Sequence, residues 1–82
     1  MDLVTLTEEI VKTLVHDPET VSVKEFESEE EDEMIIQVMV QAEDMGRVIG
    51  KGGKIANALR TLVQASSYLK DNKKIRINID SF

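Results

Sequence analysis

The chain has 82 residues, enough for one small domain, because two hydrophobic cores would leave each half below the size that folds unaided. Apolar residues make up 41% and charged residues 32%, which argues against both a disordered chain and a membrane-spanning one. The absence of cysteine excludes disulfides, zinc–thiolate sites and thiol nucleophiles. Met1-Asp2 opens no basic, hydrophobic signal segment.

The formal charge of −6 conceals two segments of opposite sign. Residues 1–44 contain fourteen acids and two cations, a net charge of −12. Residues 45–82 contain eight cations and two acids, a net charge of +6. The whole-chain charge alone would disfavour a nucleic-acid partner, but this asymmetry indicates a surface that faces a polyanion.

The first predicted element is a helix from Leu3 to Val15. Its apolar residues recur at spacings of three and four, which places them on one helical face. They are Leu3, Leu6, Ile10, Val11 and Leu14. The polar residues predicted on the other face are Thr7, Glu8, Lys12 and Thr13. Asp17-Pro18 ends the helix, because the residue before a proline is pushed out of the helical region.

Two strands are predicted next, with an acidic run between them. Thr20 to Phe26 is β-branched and partly alternating, as in a strand. The run from Glu27 to Glu33 predicts a solvated hairpin loop, with an acidic recognition surface as the alternative. Met34 to Val40 is apolar at nearly every position, which indicates a strand that is covered on more than one side or central in a sheet.

The second half of the chain predicts two helices and a strand. Ala42 to Ile49 is a short helix, interrupted by the glycine-rich segment from Gly50 to Gly53. A longer helix starts at Lys54 and ends at Asp71-Asn72. Its predicted core face comprises Ile55, Leu59, Leu62, Val63, Ser66 and Leu69. Isoleucines then alternate with polar residues from Ile75 to Asp80, the strongest strand pattern in the chain.

The predicted fold class is α+β, a single domain over residues 1–82 with the order α-β-β-α-α-β. The first two strands form an antiparallel hairpin. A right-handed crossover through two helices sets the second and third strands parallel and adjacent. The sequence therefore predicts a three-stranded mixed sheet with helices packed on one face.

The glycine-rich segment is the part of the chain that carries chemistry. A helix start presents unpaired N–H groups to an anion, and glycines let a sugar–phosphate backbone approach closely. Arg47, Lys51 and Lys54 add positive charge. A plain tight turn with solvated lysines is the alternative. A P-loop is disfavoured, because it needs a strand before the loop, a longer glycine spacing and a Ser or Thr after the lysine.

The run from Val48 to Lys54 resembles the signature of the K-homology (KH) domain, whose GXXG loop clamps the backbone of about four nucleotides. The predicted order is similar to the type II arrangement. Residues 45–61 closely resemble the small bacterial KhpA-type proteins, and the resemblance covers roughly residues 3–80. It implies that Ile49 and the first turns of the following helix wall a groove for the bases. The predicted RNA-binding residues are Arg47, Ile49, Gly50, Lys51, Gly52, Gly53, Lys54 and Ile55.

A second stripe on the long helix lies about 110° from the predicted core face, at about 100° per residue. It comprises Ala58, Thr61, Ala65 and Tyr68. An ordinary solvent-facing edge is one interpretation. The other is a self-association face, and the resemblance implies a homodimer or a pairing with a KhpB (Jag/EloR)-type protein.

The other candidate sites are weak. His16, the only histidine, stands beside Asp17 at a helix end, where a capping or exposed role is expected. The acidic run lacks the glycine turn and spaced ligands of a calcium loop, so no metal site is predicted. Ser66 and Ser67 have no base nearby in the sequence and no nucleophile elbow. No catalytic residue, cofactor, membrane partner or small-molecule substrate is predicted.

The sequence predicts a non-enzymatic, single-stranded RNA-binding domain, an RNA chaperone or post-transcriptional regulator. The resemblance implies a cytoplasmic role alongside a KhpB-type partner, with effects on cell elongation and division. The alternative is a protein-interaction module that uses the acidic face and retains a vestigial loop.

Overall fold

A computed structural model describes residues 1–82, with six helices and strands in the predicted order. They are α1 (Leu3–Leu14), β1 (Ser22–Glu27), β2 (Glu33–Val40), α2 (Met45–Ile49), α3 (Lys54–Lys70) and β3 (Lys74–Ser81). Three 3₁₀ turns lie between them, at Pro18–Thr20, Ala42–Asp44 and Lys51–Gly53. None of the helices combines the length and apolarity needed to cross a bilayer.

The sheet has the predicted topology. Its order is β1-β2-β3, with β2 antiparallel to β1 and parallel to β3. The crossover from β2 to β3 passes through α2 and α3, so the glycine-rich segment lies within the crossover.

The core lies between the helices and one face of the sheet. Every second residue of β2 is buried and contributes to it: Met34, Ile36, Val38 and Val40. The intervening β2 side chains are only half-buried, so β2 is apolar because it is the central strand and not because both of its faces are covered. Of the two explanations that the sequence allowed for this apolar run, a strand covered on more than one side or a central strand, the structure shows the central strand.

The buried face of α1 differs from the prediction. Asp2 caps the helix by accepting the Thr5 N–H at 2.7 Å. Thr7, predicted on the polar face, is fully buried, because its hydroxyl donates to the Leu3 carbonyl at 2.7 Å and needs no other partner. Leu3 and Val11 share this buried face, whereas Leu6, Ile10 and Leu14 are only half-buried.

The buried face of α3 is also rotated from the predicted one. It comprises Ala56, Leu59, Val63 and Ser67. Ser67 is buried because its hydroxyl donates to the Lys73 carbonyl at 2.6 Å and accepts the Lys73 N–H at 3.2 Å. Leu62 and Leu69, predicted in the core, are 51% and 88% exposed. Small and hydroxyl side chains therefore face the core, and two leucines face outward.

Some element boundaries also differ from the prediction. The first strand starts at Ser22 instead of Thr20, because Pro18–Thr20 forms a 3₁₀ turn. Glu27 and Glu33, the ends of the acidic run, belong to the strands. The Glu33 carboxylate accepts the Ser28 hydroxyl at 2.6 Å and lies 3.6 Å from Arg76. The solvated hairpin loop is therefore confined to residues 28–32.

Candidate nucleic-acid interface

The GXXG loop, Gly50–Gly53, joins α2 to α3 through an unusual backbone. Three of its residues have positive φ angles: 76° at Gly50, 65° at Gly52 and 77° at Gly53. Residues that have a side chain rarely adopt this left-handed backbone region, so glycine is the residue that forms such a connection without strain. The loop conformation follows directly from the local sequence.

Two of these glycines serve different purposes. A Cβ atom at Gly50 would lie 2.7 Å from Cγ1 of Ile55, so the missing side chain lets Ile55 pack on the loop. A Cβ atom at Gly52 would meet nothing within 4 Å. Gly50 therefore holds the loop against α3, while the bare backbone at Gly52 is open to a ligand.

Free main-chain donors lie at the tip of the loop. The Gly50 N–H donates to Gly46, the Gly53 N–H to Gly50 and the Lys54 N–H to Lys51. The amides of Lys51 and Gly52 make no hydrogen bond to another element or to a side chain. Both residues are exposed, so two N–H groups are available to an anion beside the start of α3.

Cationic and apolar side chains surround these donors. Lys51 and Lys54 are exposed, and neither forms an ion pair within the chain. Arg47 is exposed but lies 3.6 Å from the Asp44 carboxylate, which offsets part of its charge. Ile49 is half-buried and Ile55 is 37% exposed, so apolar surface flanks the loop.

The structure thus places all eight predicted RNA-binding residues within one segment of helix, loop and helix. That these residues contact RNA remains a prediction.

Asp44 is a residue of this region that the sequence predicts only as part of the helix from Ala42 to Ile49. It is only 2% exposed and lies just before α2. Its carboxylate accepts the N–H of His16 at 2.9 Å and that of Asp17 at 3.2 Å. These bonds attach the α1–β1 connection to the start of α2 and so fix the direction in which α2 enters the loop.

Acid should weaken the fold through Asp44. The His16 N–H is the main group that holds the pKa of Asp44 below its usual range, with smaller contributions from Asp17 and Arg47 and opposition from burial. In the unfolded chain the carboxyl returns to its ordinary pKa of about 3.9. Because the folded-state pKa is the lower one, the contribution of Asp44 is present above the unfolded pKa and is lost as the pH falls through the folded value.

We therefore expect Asp44→Asn to lower the urea midpoint strongly at about pH 7 and much less at about pH 2.5. Asp71→Asn is the control, because the Asp71 side chain is exposed and forms no hydrogen bond or ion pair, and the urea midpoint of this variant should match that of the wild type at both pH values. A midpoint difference for Asp44→Asn that stayed constant with pH would contradict this assignment.

The predicted stripe on α3 is entirely exposed. Ala58, Thr61, Ala65 and Tyr68 all face away from the core, with Leu62 and Leu69 on the same side of the helix. A shallow depression of ≈ 460 Å³ lies between this side and the start of β3. Its lining residues are Arg60, Thr61, Gln64, Ala65, Tyr68 and Ile75. The outward leucines, which the sequence placed in the core, make this face more apolar than the predicted stripe.

The residues considered as weak catalytic or metal-binding candidates have structural roles or are exposed. His16 is exposed and donates its backbone N–H to Asp44. The Ser66 hydroxyl donates to the Leu62 carbonyl at 3.0 Å, and that of Ser67 holds the turn before β3. No group of three or more His, Asp or Glu side chains is arranged to hold a metal ion.

The order α-β-β-α-α-β, the parallel β2–β3 pair and the GXXG loop between α2 and α3 define a KH domain of the type II arrangement. Comparison with solved structures agrees. A crystal structure of Era in complex with MgGDPNP and nucleotides 1506–1542 of 16S ribosomal RNA matches 96% of this chain with a TM-score of 0.67 and 16% identity. A crystal structure of Era from Aquifex aeolicus bound to GDP.AlF4⁻ matches 100% of this chain with a TM-score of 0.64 and 20% identity. This chain corresponds to 29% and 32% of those two chains, so the likeness is one of fold.

Sequence relatives cover most of the domain. The family model described as "KhpA/KhpB, KH domain" matches residues 4–79. The RNA-binding protein KhpA of Clostridium perfringens is 49% identical over 90% of this chain and 95% of its own length. The RNA-binding protein KhpA of Listeria monocytogenes is 49% identical over 85% of this chain and 88% of its own length. That of Thermotoga maritima is 38% identical over 90% of this chain and 93% of its own length. The chain therefore belongs to the KhpA/KhpB family of KH domains.

Proposed function

We propose that this protein binds single-stranded RNA, without catalysing a reaction, by holding the sugar–phosphate backbone on its GXXG loop. The observation that carries the proposal is the pair of free amides at Lys51 and Gly52, on a loop whose glycines leave the backbone bare. Main-chain N–H groups at a helix start are donors for phosphate oxygens. The names of the KhpA relatives, which describe them as RNA-binding proteins, support the same function.

The charge of the loop supports binding mainly to the phosphate backbone of RNA, with low specificity for the base sequence. Lys51 and Lys54 are unpaired and exposed, and their charge attracts phosphates regardless of the base. Residues 1–44 carry a net charge of −12, so RNA is repelled from the surface that they form and attracted to the basic second half of the chain, which contains this segment. Ile49 and Ile55 offer apolar surface for the bases beside the loop.

The salt dependence of binding tests this mechanism. For two or three phosphates on a single strand, we expect a slope of log K against log salt of about −1.4 to −2.1, at roughly −0.7 per contact. Fluorescence anisotropy with a labelled single-stranded oligoribonucleotide measures it. A slope near zero would exclude a phosphate-led clamp, and a much steeper one would require cations outside the loop.

The exposed face of α3 supports a second proposal, that two copies associate through it. This face comprises Ala58, Thr61, Leu62, Ala65, Tyr68 and Leu69. It is uncharged in a chain that is 32% charged, and its small residues let another helix approach closely. A dimer would place two weak clamps in one particle, which raises the effective concentration of the second for the same RNA.

The cellular role belongs to the proposal as well. We infer an RNA chaperone or post-transcriptional regulator that acts in the cytoplasm with a KhpB (Jag/EloR)-type partner and influences cell elongation and division. This part rests on membership of the KhpA/KhpB family and on the resemblance described above. The α3 face is the surface that we propose for the KhpB-type partner, in place of a second copy.

A further inference from the structure

The two edges of the sheet are treated differently. At β3, side chains of α3 occupy the outer edge: Gln64 accepts the Ile75 N–H at 2.8 Å, and Arg60 donates to the Ile77 carbonyl at 3.3 Å. The outer edge of β1 has no such cover. Its backbone groups pair only with β2, and no side chain bonds to the backbone of Ser22–Glu27. One edge is closed to a further strand and the other is open.

The open edge is exposed along most of its length. All residues of β1 from Lys24 to Glu27 are exposed, because the helices cover only its start. Phe26 is 51% exposed and pairs with Ile35, whose side chain lies on the sheet face that carries no helix. An apolar anchor thus lies next to a row of unpaired backbone donors and acceptors, the combination that binds an added strand.

The charge near the open edge of β1 determines which kind of strand can pair with it. Residues 22–33 contain seven acids and one cation, a net charge of −6. A second copy of this edge would bring the same charge, and RNA would be repelled, so neither is a suitable occupant. An extended segment rich in Lys or Arg has the complementary charge.

We propose that the open edge of β1 binds an extended basic segment of a partner protein as a fourth strand of the sheet. The backbone supplies the hydrogen bonds, Phe26 contacts an apolar side chain of the segment, and the acids of β1 and residues 28–32 attract its cations. This surface is remote in sequence from the GXXG loop and does not depend on RNA binding there.

A synthetic peptide of about eight residues that alternates Lys and Val is the probe. In a ¹⁵N NMR titration we expect shifts of β1 amides and slowed hydrogen exchange at alternate residues of β1. A Glu/Val peptide of the same length should not bind. A Lys/Val peptide with proline at alternate positions, which cannot form the ladder, should also leave the amides unmoved.

Variants test the two side-chain contributions. Phe26→Ala should weaken peptide binding about tenfold, as truncation of an interface anchor does. Glu29→Gln with Glu30→Gln should weaken it several-fold at low salt, whereas Glu9→Gln with Glu19→Gln, exposed acids outside the surface, should not. Equal binding of the proline peptide, unmoved β1 amides, or β1 shifts caused by RNA instead would each overturn the proposal. The amides of Lys51 and Gly52, followed with RNA, report separately on the proposed function.

Discussion

Replacing Lys51 and Gly52 together with aspartate is expected to abolish RNA binding and leave the fold intact. The change removes one cation and brings two carboxylates to the loop tip, where the free amides lie. Each carboxylate within 4 Å of a phosphate costs about 1–4 kcal/mol in a wet site. The fold should tolerate the change, because Lys51 is exposed, a Cβ at Gly52 meets nothing within 4 Å, and aspartate is among the residues that adopt positive φ most readily.

A matched control lies at the other end of α3. Asn72→Asp with Lys73→Asp makes the same change in net charge, also with one residue at positive φ, since φ of Asn72 is 53°. We expect the control to keep most of the affinity in an electrophoretic shift assay, with both variants matching the wild type by circular dichroism. Unchanged affinity in the loop variant would instead support a protein-interaction module with a vestigial loop.

The second large effect is expected at the α3 face. Thr61→Glu should convert a dimer to a monomer, because it places a charge without a partner where two helices would meet. The loss should be about 100-fold or more in the dimer dissociation constant, and light scattering over a range of concentrations measures it. Leu62→Glu, on the same exposed face, should have the same effect.

Thr13→Glu is the control for these variants, since Thr13 is an exposed threonine on α1, away from the proposed interface. It should leave the oligomeric state of the wild type unchanged. A wild type that is monomeric at high concentration would show that the α3 face is ordinary surface. A dimer that survives both α3 substitutions would show that the copies meet elsewhere.

The order of elements and the sheet topology could be predicted because they follow from local signals. Alternating isoleucines identify β3, the continuous apolar run identifies β2, and Asp17-Pro18 ends the first helix. The handedness of the crossover then leaves one arrangement of the strands. The loop was equally predictable, since Gly50 and Gly52 have backbone angles that glycine adopts freely.

The errors arose where polar groups are buried by hydrogen bonds that periodicity cannot reveal. Thr7 and Ser67 lie in the interior because each hydroxyl finds a main-chain partner there. Asp44 accepts N–H groups 27 and 28 residues away, a contact that no local pattern encodes. Leu62 shows the converse: an apolar residue assigned to the core by spacing faces outward because Ala56 and Ser67 turn that side of α3 inward.

The most direct measurement is an NMR titration with short single-stranded oligoribonucleotides of about four nucleotides, the length that a GXXG loop clamps. We expect the backbone amide signals of Lys51 and Gly52 to shift most, with shifts that saturate as RNA is added and become smaller as the salt concentration rises. If those two signals stay still while the RNA binds elsewhere or not at all, the bare loop is not what holds the strand.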